Sequence, residues 1–142
     1  QILQIPGYVV LVNEHIHNIR IIPVDGRPHG NVRQWVGDSR GRWDGDTLVI
    51  ETKNFQRETN FAGSSQDTLL VERFRRVDPD TLMYEFTIED PNNYTRSWTA
   101  MIPLRRTDGP LFEYACHEGN YGMVGIMAGA RNLNTQAVAG SR

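Results

Sequence analysis

A chain of 142 residues has the usual size of one domain, and it is long enough to bury a core without disulfides or structural metals. With 39% hydrophobic and 23% charged residues, its composition excludes a disordered chain, and apolar runs such as YVVLV are too short for a membrane-spanning helix. The formal net charge of −2 provides no positive field for nucleic acid, so we expect no nucleic-acid partner and no membrane span.

Polar and apolar residues alternate along most of the chain and are interrupted by turn residues, a pattern that is typical of an antiparallel β-meander. Residues 7–24 are predicted to form one long strand, or two strands joined by a bend near Asn13 to Asn18. The segment RWDGDTLVIET then predicts a hairpin, because Asp44 and Gly45 suit a two-residue type I′ turn.

Three further strands are predicted in LLVERFRRV, TLMYEFTIED and SWTAMIPLRR, and the first two are joined by a turn with Pro79 at its second position. Alternation places an apolar set on one face of each of the last two of these three strands. In TLMYEFTIED this set is Leu82, Tyr84, Phe86 and Ile88. In SWTAMIPLRR it is Trp98, Ala100, Ile102 and Leu104. The segment PLFEYAC, residues 110–116, is predicted to be the final strand.

These elements predict an all-β fold in which about eight antiparallel strands close into an up-and-down, lipocalin-like barrel, because closure removes exposed strand edges. A two-sheet sandwich is the alternative that the pattern leaves open. Residues 56–67 are predicted to form a polar surface loop and residues 120–133 a short helix. The expected organisation is therefore a single barrel domain over residues 1–131 and a flexible tail over residues 132–142.

The four histidines are the candidate metal ligands. His15 and His17 would lie on the same face of an extended strand, and His29 follows the connection VDGRP. His117 would end the last strand, which neighbours the first strand in a closed meander, although a bulge after Cys116 is then needed to turn His117 inward. Three imidazoles can hold a divalent transition metal such as Zn, Cu or Fe.

Two alternatives to a metal site stay open: scattered polar histidines, and a metal-free site in which a histidine is the general acid or base. Glu14 and Glu118 are candidates for a fourth metal ligand or for the general base. Cys116 is adjacent to His117, but adjacent strand residues point to opposite faces, so we expect an inert thiol.

A barrel interior would also suit a small ligand. The candidate ligand-binding residues are Tyr84, Phe86, Trp98, Tyr114 and Arg96, since aromatic side chains would line the cavity and a polar group would orient the ligand. This second hypothesis describes a non-catalytic binding barrel for a small apolar molecule. A third is a structural or self-assembling module that presents its strand edges to a partner or forms a homo-oligomer.

The strings RIIPVDGRPH, GDSRGRWDGDTLV and EYACHEGNYG resemble motifs in the C-terminal region of a large family of exported soil-bacterial proteins of acidobacterial type. The resemblance extends over residues 1–131 and implies no particular activity. It implies an extracellular or periplasmic location, and an upstream segment whose cysteine would pair with Cys116. Within that pattern Glu14, His17, His29, His117 and Glu118 belong to recurrent motifs, whereas His15 is more variable.

The resemblance thus favours a triad of His17, His29 and His117 with a nearby glutamate. Our sequence-based hypothesis is a histidine-lined site that binds a divalent metal and carries out metal-assisted hydrolysis or oxidation of a small organic or sugar-derived substrate.

Overall fold

The computed structural model describes residues 1–58, 63–112, 114 and 121–139, and only the backbone of residues 133–139. These residues contain eight strands, a short 3₁₀ helix at His15–His17 and one α-helix. The strands are β1 (Ile2–Ile5), β2 (Tyr8–Val12), β3 (Ile19–Pro23), β4 (Asp38–Asp44), β5 (Thr47–Lys53), β6 (Leu69–Asp78), β7 (Thr81–Glu89) and β8 (Trp98–Arg105). The helix is α1 (Tyr121–Ala139).

The strands form two antiparallel sheets in which every strand pairs with its neighbour in sequence. One sheet has the order β1-β2-β3 and the other the order β4-β5-β6-β7-β8. The predicted antiparallel all-β meander is therefore confirmed. In the part of the chain that the structure describes, no ladder joins β3 to β4 or β1 to β8, so closure into a barrel is not confirmed and stays a prediction.

Most predicted strands are present with small shifts at their ends. Residues 7–24 form β2 and β3, joined by the turn at residues 13–18, and the turn after β6 has Pro79 at its second position. The hairpin turn is shifted by one residue from its prediction, because Asp44 pairs with Thr47 and the loop is Gly45 and Asp46. Gly45 has a φ of 60° and Asp46 has no positive φ, which is the sign pattern of a type II′ turn.

The predicted strand over residues 110–116 is wrong where it can be compared. Residues 110–112 and 114 have no regular structure, and residues 113, 115 and 116 lie outside the described residues. Alternation makes a strand only where a neighbour can pair with it, and Pro110 cannot donate to a ladder. Strand β1, which has only four residues, was not predicted.

Both sheets contribute side chains to one core. Val9, Leu11 and Ile22 from the smaller sheet pack with Leu48, Ile50 and Phe74 from the larger one. Gly41 lets β4 approach β3, since a Cβ atom there would lie 2.9 Å from Val24 Cγ1 and 3.1 Å from Ile22 Cγ2. The sheets are therefore joined by packing where they share no ladder.

The outer face of the smaller sheet is also apolar. Leu3, Ile5, Ile19 and Ile21 are between 43% and 64% exposed on this face, beside the partly buried Val10. Strands β2 and β3 therefore carry apolar residues on both faces and lack the usual alternation of buried apolar and exposed polar residues. Arg20, on the inner face of β3, is a charged residue within this apolar pattern.

Helix α1 confirms the predicted C-terminal helix, but it continues to Ala139, so the predicted boundary at residue 131 falls within it. Its sequence after residue 131 contains good helix formers such as Leu133, Gln136 and Ala137, which favour this continuation. The chain separates into two compact units, Gln1–Leu111 and Phe112–Arg142. Among the helices in the described residues, none is both long and apolar enough to cross a membrane.

Candidate functional site

A cavity of about 590 Å³ lies between the two sheets, a size that suits a small organic ligand. Its walls are mostly apolar and include side chains from both ends of the strand order, Ile2 of β1 and Ile102 and Leu104 of β8. The cavity thus occupies the position that the interior of a barrel would have.

Aromatic rings cover the wall formed by β6 and β7. Phe74 and Tyr84 are directly opposite each other on paired strands, and their rings stack at 4.7 Å between centroids. Tyr84 stacks in turn on Phe86 at 5.5 Å, and Phe86 meets the edge of Trp98 at 5.6 Å. Each ring packs against the next, so the aromatic side chains form one continuous stack along this wall.

One pair of charged side chains crosses the interior from sheet to sheet. Arg20 of β3 donates to both carboxylate oxygens of Glu72 on β6, at 2.6 Å and 3.1 Å. The exposed fraction of these side chains is only 13% for Arg20 and 4% for Glu72. Arg20 Nη2 also donates to Ser39 Oγ and Thr52 Oγ1, at 3.1 Å and 3.0 Å. Both Nη groups of Arg20 therefore have partners inside the protein, whereas its buried Nε makes no hydrogen bond.

Tyr84 joins this charged pair to the aromatic wall. Burial raises the pKa of the Tyr84 phenol, and the negative charge of Glu72 raises it further. The hydroxyl therefore remains protonated at neutral pH and donates to Glu72 Oε1 at 3.0 Å. The cavity wall thus carries a neutral phenol and a neutralised ion pair.

His29 lies beside a buried carboxylate. Its Nδ1 is 3.4 Å from Oδ2 of Asp38, which is only 6% exposed. Asp38 Oδ2 also accepts the Gly30 N–H at 2.8 Å, and Arg40 pairs with Asp38 Oδ1. Ser39 of β4 donates or accepts in the interior network around Arg20, so alternation places its neighbour Asp38 on the opposite face of the sheet. His29, beside Asp38, does not line the cavity.

The other described histidines lie elsewhere. His15 and His17 are exposed in the 3₁₀ helix between β2 and β3, and Glu14 immediately precedes it. The prediction that both imidazoles share one strand face is therefore wrong. Ile16 and His17 have φ angles of 50° and 53°, since the chain reverses here within six residues, from Asn13 to Asn18.

The described residues contain no group of three or more His, Cys, Asp or Glu side chains that could hold a metal. His117, Glu118 and Cys116 lie outside these residues, so the triad of His17, His29 and His117 remains untested.

Two of the five predicted ligand-binding residues, Tyr84 and Phe86, line the cavity. Trp98 contacts Phe86 but does not itself line the cavity, and Arg96 is exposed in the loop between β7 and β8 without lining the cavity. Tyr114 is 38% exposed and belongs to the second compact unit.

Arg20, Glu72, Trp35 and Phe55 also line the cavity and were not predicted. The sequence does carry a signal for the charged pair. Arg20 shares a strand face with Ile22, and Glu72 shares one with Leu70 and Phe74. Opposite charges at two core-facing positions indicate a buried ion pair. Trp35 and Phe55 lie outside the strands, where alternation gives no information.

A second buried carboxylate organises the loops at residues 63–68 and 90–94. Asp90 is 2% exposed and accepts hydrogen bonds from Ser65, Thr68 and Asn92. Burial alone would raise the pKa of Asp90, but the hydrogen bonds from the Ser65 backbone and hydroxyl, and then those from Thr68 and Asn92, hold it below its ordinary value of 3.8. This cluster supports Ser64 and Thr68, which line the cavity.

Comparison of the chain with protein-family models, with curated proteins and with solved structures gave no match.

Proposed function

We propose that this protein binds a small, mostly apolar molecule between its two sheets, in the manner of a lipocalin. The observation that carries the proposal is the cavity of about 590 Å³ with its aromatic wall. Removing apolar surface of this kind from water lowers the free energy, so an apolar ligand that covers the wall is stabilised there.

Titration with the fluorescent probe N-phenylnaphthylamine tests the proposal. We expect saturable uptake of one probe per chain, with a blue-shifted emission. The variant Ile102→Trp places a larger side chain in the cavity lining and should weaken binding by about tenfold or more.

The matched control is Met101→Trp. Met101 is the preceding residue of β8, is 57% exposed and faces away from the cavity. The Met101→Trp variant should bind the probe with the same affinity as the unaltered protein. No saturable uptake, or equal weakening by both substitutions, would refute the cavity as the binding site.

A divalent metal site that includes His29 is our second candidate, in which metal-assisted hydrolysis or oxidation acts on a small organic or sugar-derived substrate. The supporting observation is the buried carboxylate of Asp38, whose Oδ2 lies 3.4 Å from His29 Nδ1, a nitrogen that makes no hydrogen bond in the structure. A metal-binding histidine commonly donates its other ring nitrogen to such a carboxylate, so metal binding at Nε2 would draw Nδ1 into a hydrogen bond with Asp38. His17 and His117 would be the further ligands, with Glu14 or Glu118 as the fourth ligand or general base.

Elemental analysis after incubation with Zn²⁺ and removal of excess metal tests this candidate. We expect near-stoichiometric zinc that is lost in His29→Ala, His17→Ala and His117→Ala but retained in His15→Ala. Retention in His29→Ala, or no zinc in the unaltered protein, would refute it. We also propose the extracellular or periplasmic location that the family resemblance implies. Either function is compatible with this location.

A further inference from the structure

We infer that the cavity selects uncharged ligands, molecules with an apolar body and a neutral hydrogen-bonding group such as a hydroxyl or carbonyl. This inference rests on the proposed binding function, because it names the class of molecule that the same cavity takes. Fatty acids and other amphiphilic anions, which also have apolar bodies, are thereby excluded as preferred ligands.

The first argument is the charge balance of the walls. Arg20 and Glu72 are the two charged side chains among the described residues that line the cavity, and they form a close ion pair with each other. A ligand carboxylate would lose its hydration on entry, and the one cationic side chain among these described lining residues is already paired with Glu72. The ligand carboxylate would also lie near the negative charge of Glu72.

The second argument is how the guanidinium of Arg20 is already used. Its Nη1 donates to Glu72, and its Nη2 donates to Glu72, Ser39 and Thr52. Ser39 and Thr52 are themselves buried and joined by a hydrogen bond of 2.9 Å. Turning Arg20 toward an anionic ligand would break these bonds and leave Glu72 buried without a cation.

The other polar side chains among the described lining residues are neutral, and the ammonium of Gln1 is held by the Val12 carbonyl oxygen at 2.7 Å. The amides of Asn13 and Asn18 lie on either side of the turn between β2 and β3, and both contribute to the cavity lining. An amide can donate to a carbonyl or accept from a hydroxyl, but it cannot neutralise a carboxylate. We therefore place the polar end of the ligand at this turn and its apolar body against the aromatic wall.

Two probes of similar shape test the inference, since anilinonaphthalenesulfonate is N-phenylnaphthylamine with an added sulfonate. At neutral pH we expect the neutral probe to bind at least about tenfold more tightly than the anionic probe. Decanol should likewise displace the neutral probe at much lower concentration than decanoate does. Equal affinity for both probes, or equal displacement by decanol and decanoate, would overturn the inference while leaving the binding function intact.

The variant Glu72→Gln reverses the charge balance by leaving Arg20 as an uncompensated cation. We expect its preference to shift toward the anionic probe by about tenfold, with folding verified by circular dichroism. Glu51→Gln removes the same charge on the opposite face of β5, where Glu51 pairs with Arg42, and should leave the preference unchanged. Failure of both probes to bind the unaltered protein would overturn the binding function, and this inference with it.

Discussion

Gly37, in the segment before β4, is closely surrounded by other atoms. Its φ is 73°, and a Cβ atom there would lie 2.6 Å from Thr52 Cγ2 and 2.9 Å from the carbonyl oxygen of Lys53. Gly37→Ala combines a left-handed backbone with a steric clash, so we expect the free energy of unfolding to fall by about 3 kcal/mol. Denaturant unfolding measures this change.

The matched substitution is Gly109→Ala. A Cβ atom at Gly109 would have no other atom within 4 Å, and the backbone there has no left-handed φ. The free energy of unfolding of this variant should change by less than about 0.5 kcal/mol. Similar losses in both variants would contradict our explanation of Gly37.

Asp90 makes stability depend on pH. Because hydrogen bonding holds its folded-state pKa below 3.8, its contribution is complete above 3.8 and is lost as the pH falls through the folded-state pKa. Asp90→Asn should lower the free energy of unfolding by about 2 kcal/mol at neutral pH, since the amide cannot accept the same set of bonds. The difference from the unaltered protein should shrink as the pH falls below 3.8.

Denaturant unfolding between about pH 7 and about pH 3 measures this dependence. Asp80→Asn, which changes an exposed carboxylate in the turn after β6, provides the comparison and should not alter the pH profile. A constant difference between Asp90→Asn and the unaltered protein across the range would disprove the assignment.

At the scale of elements, the turn between β2 and β3 holds one residue in an unfavourable backbone conformation. Ile16 is β-branched and has a φ of 50°, a region that disfavours such residues, and its side chain is 58% exposed. Asparagine tolerates this conformation, so Ile16→Asn should raise the free energy of unfolding by about 0.5–1 kcal/mol.

Thermal unfolding of Ile16→Asn beside Ile19→Asn tests this expectation. Ile19 is equally exposed, at 55%, but lies in the extended strand β3, where asparagine is unfavourable. The first substitution should raise the melting temperature and the second should lower it. A decrease in both would show that the turn is not strained.

Strand β3 has two apolar faces with different energetic roles. Ile22 is fully buried against the larger sheet, whereas its neighbour Ile21 is 64% exposed. Ile22→Ala should cost about 3 kcal/mol of unfolding free energy because it leaves a cavity in the core, while Ile21→Ala should cost less than about 0.5 kcal/mol. Equal losses in chemical unfolding would contradict the assigned faces.

Sequence patterns predict individual elements here better than their arrangement. The strand with the cleanest sequence alternation, β7, is found where it was expected, because it pairs with a neighbouring strand on each side. The segment at residues 110–116 alternates as well, but its described residues form no strand because pairing depends on a neighbour that alternation cannot reveal. The turn geometry at His15–His17 depends on φ angles that the HIH spacing does not encode.

For the whole molecule, the Arg20–Glu72 ion pair is a buried polar connection between the two sheets. We expect Arg20→Met to lower the free energy of unfolding by about 3 kcal/mol, because it leaves Glu72 buried without its cation. The double variant Arg20→Met with Glu72→Gln should recover about 1 kcal/mol or more relative to the sum of the single changes. Additive losses in chemical unfolding would show that the pair is not coupled.

The candidate site was predictable in part at this scale. Alternation correctly assigned Tyr84 and Phe86 to an inward face, but the position of Arg20 opposite Glu72 depends on how the sheets pack. The histidine hypothesis relied on a closed meander that would bring the first and last strands together, and His117 lies outside the described residues. Long-range arrangement is thus the information that local patterns lack.

The apolar outer face of the smaller sheet has a consequence for how its strands align. A one-residue slip of β3 against β2 would turn Ile19 and Ile21 inward and Ile22 outward, and would bury a similar apolar area. Hydrophobicity alone therefore discriminates poorly between the two registers. The slipped register would carry Arg20 to the outside and leave Glu72 buried without a cation. The ion pair thus specifies strand register by penalising the misaligned state.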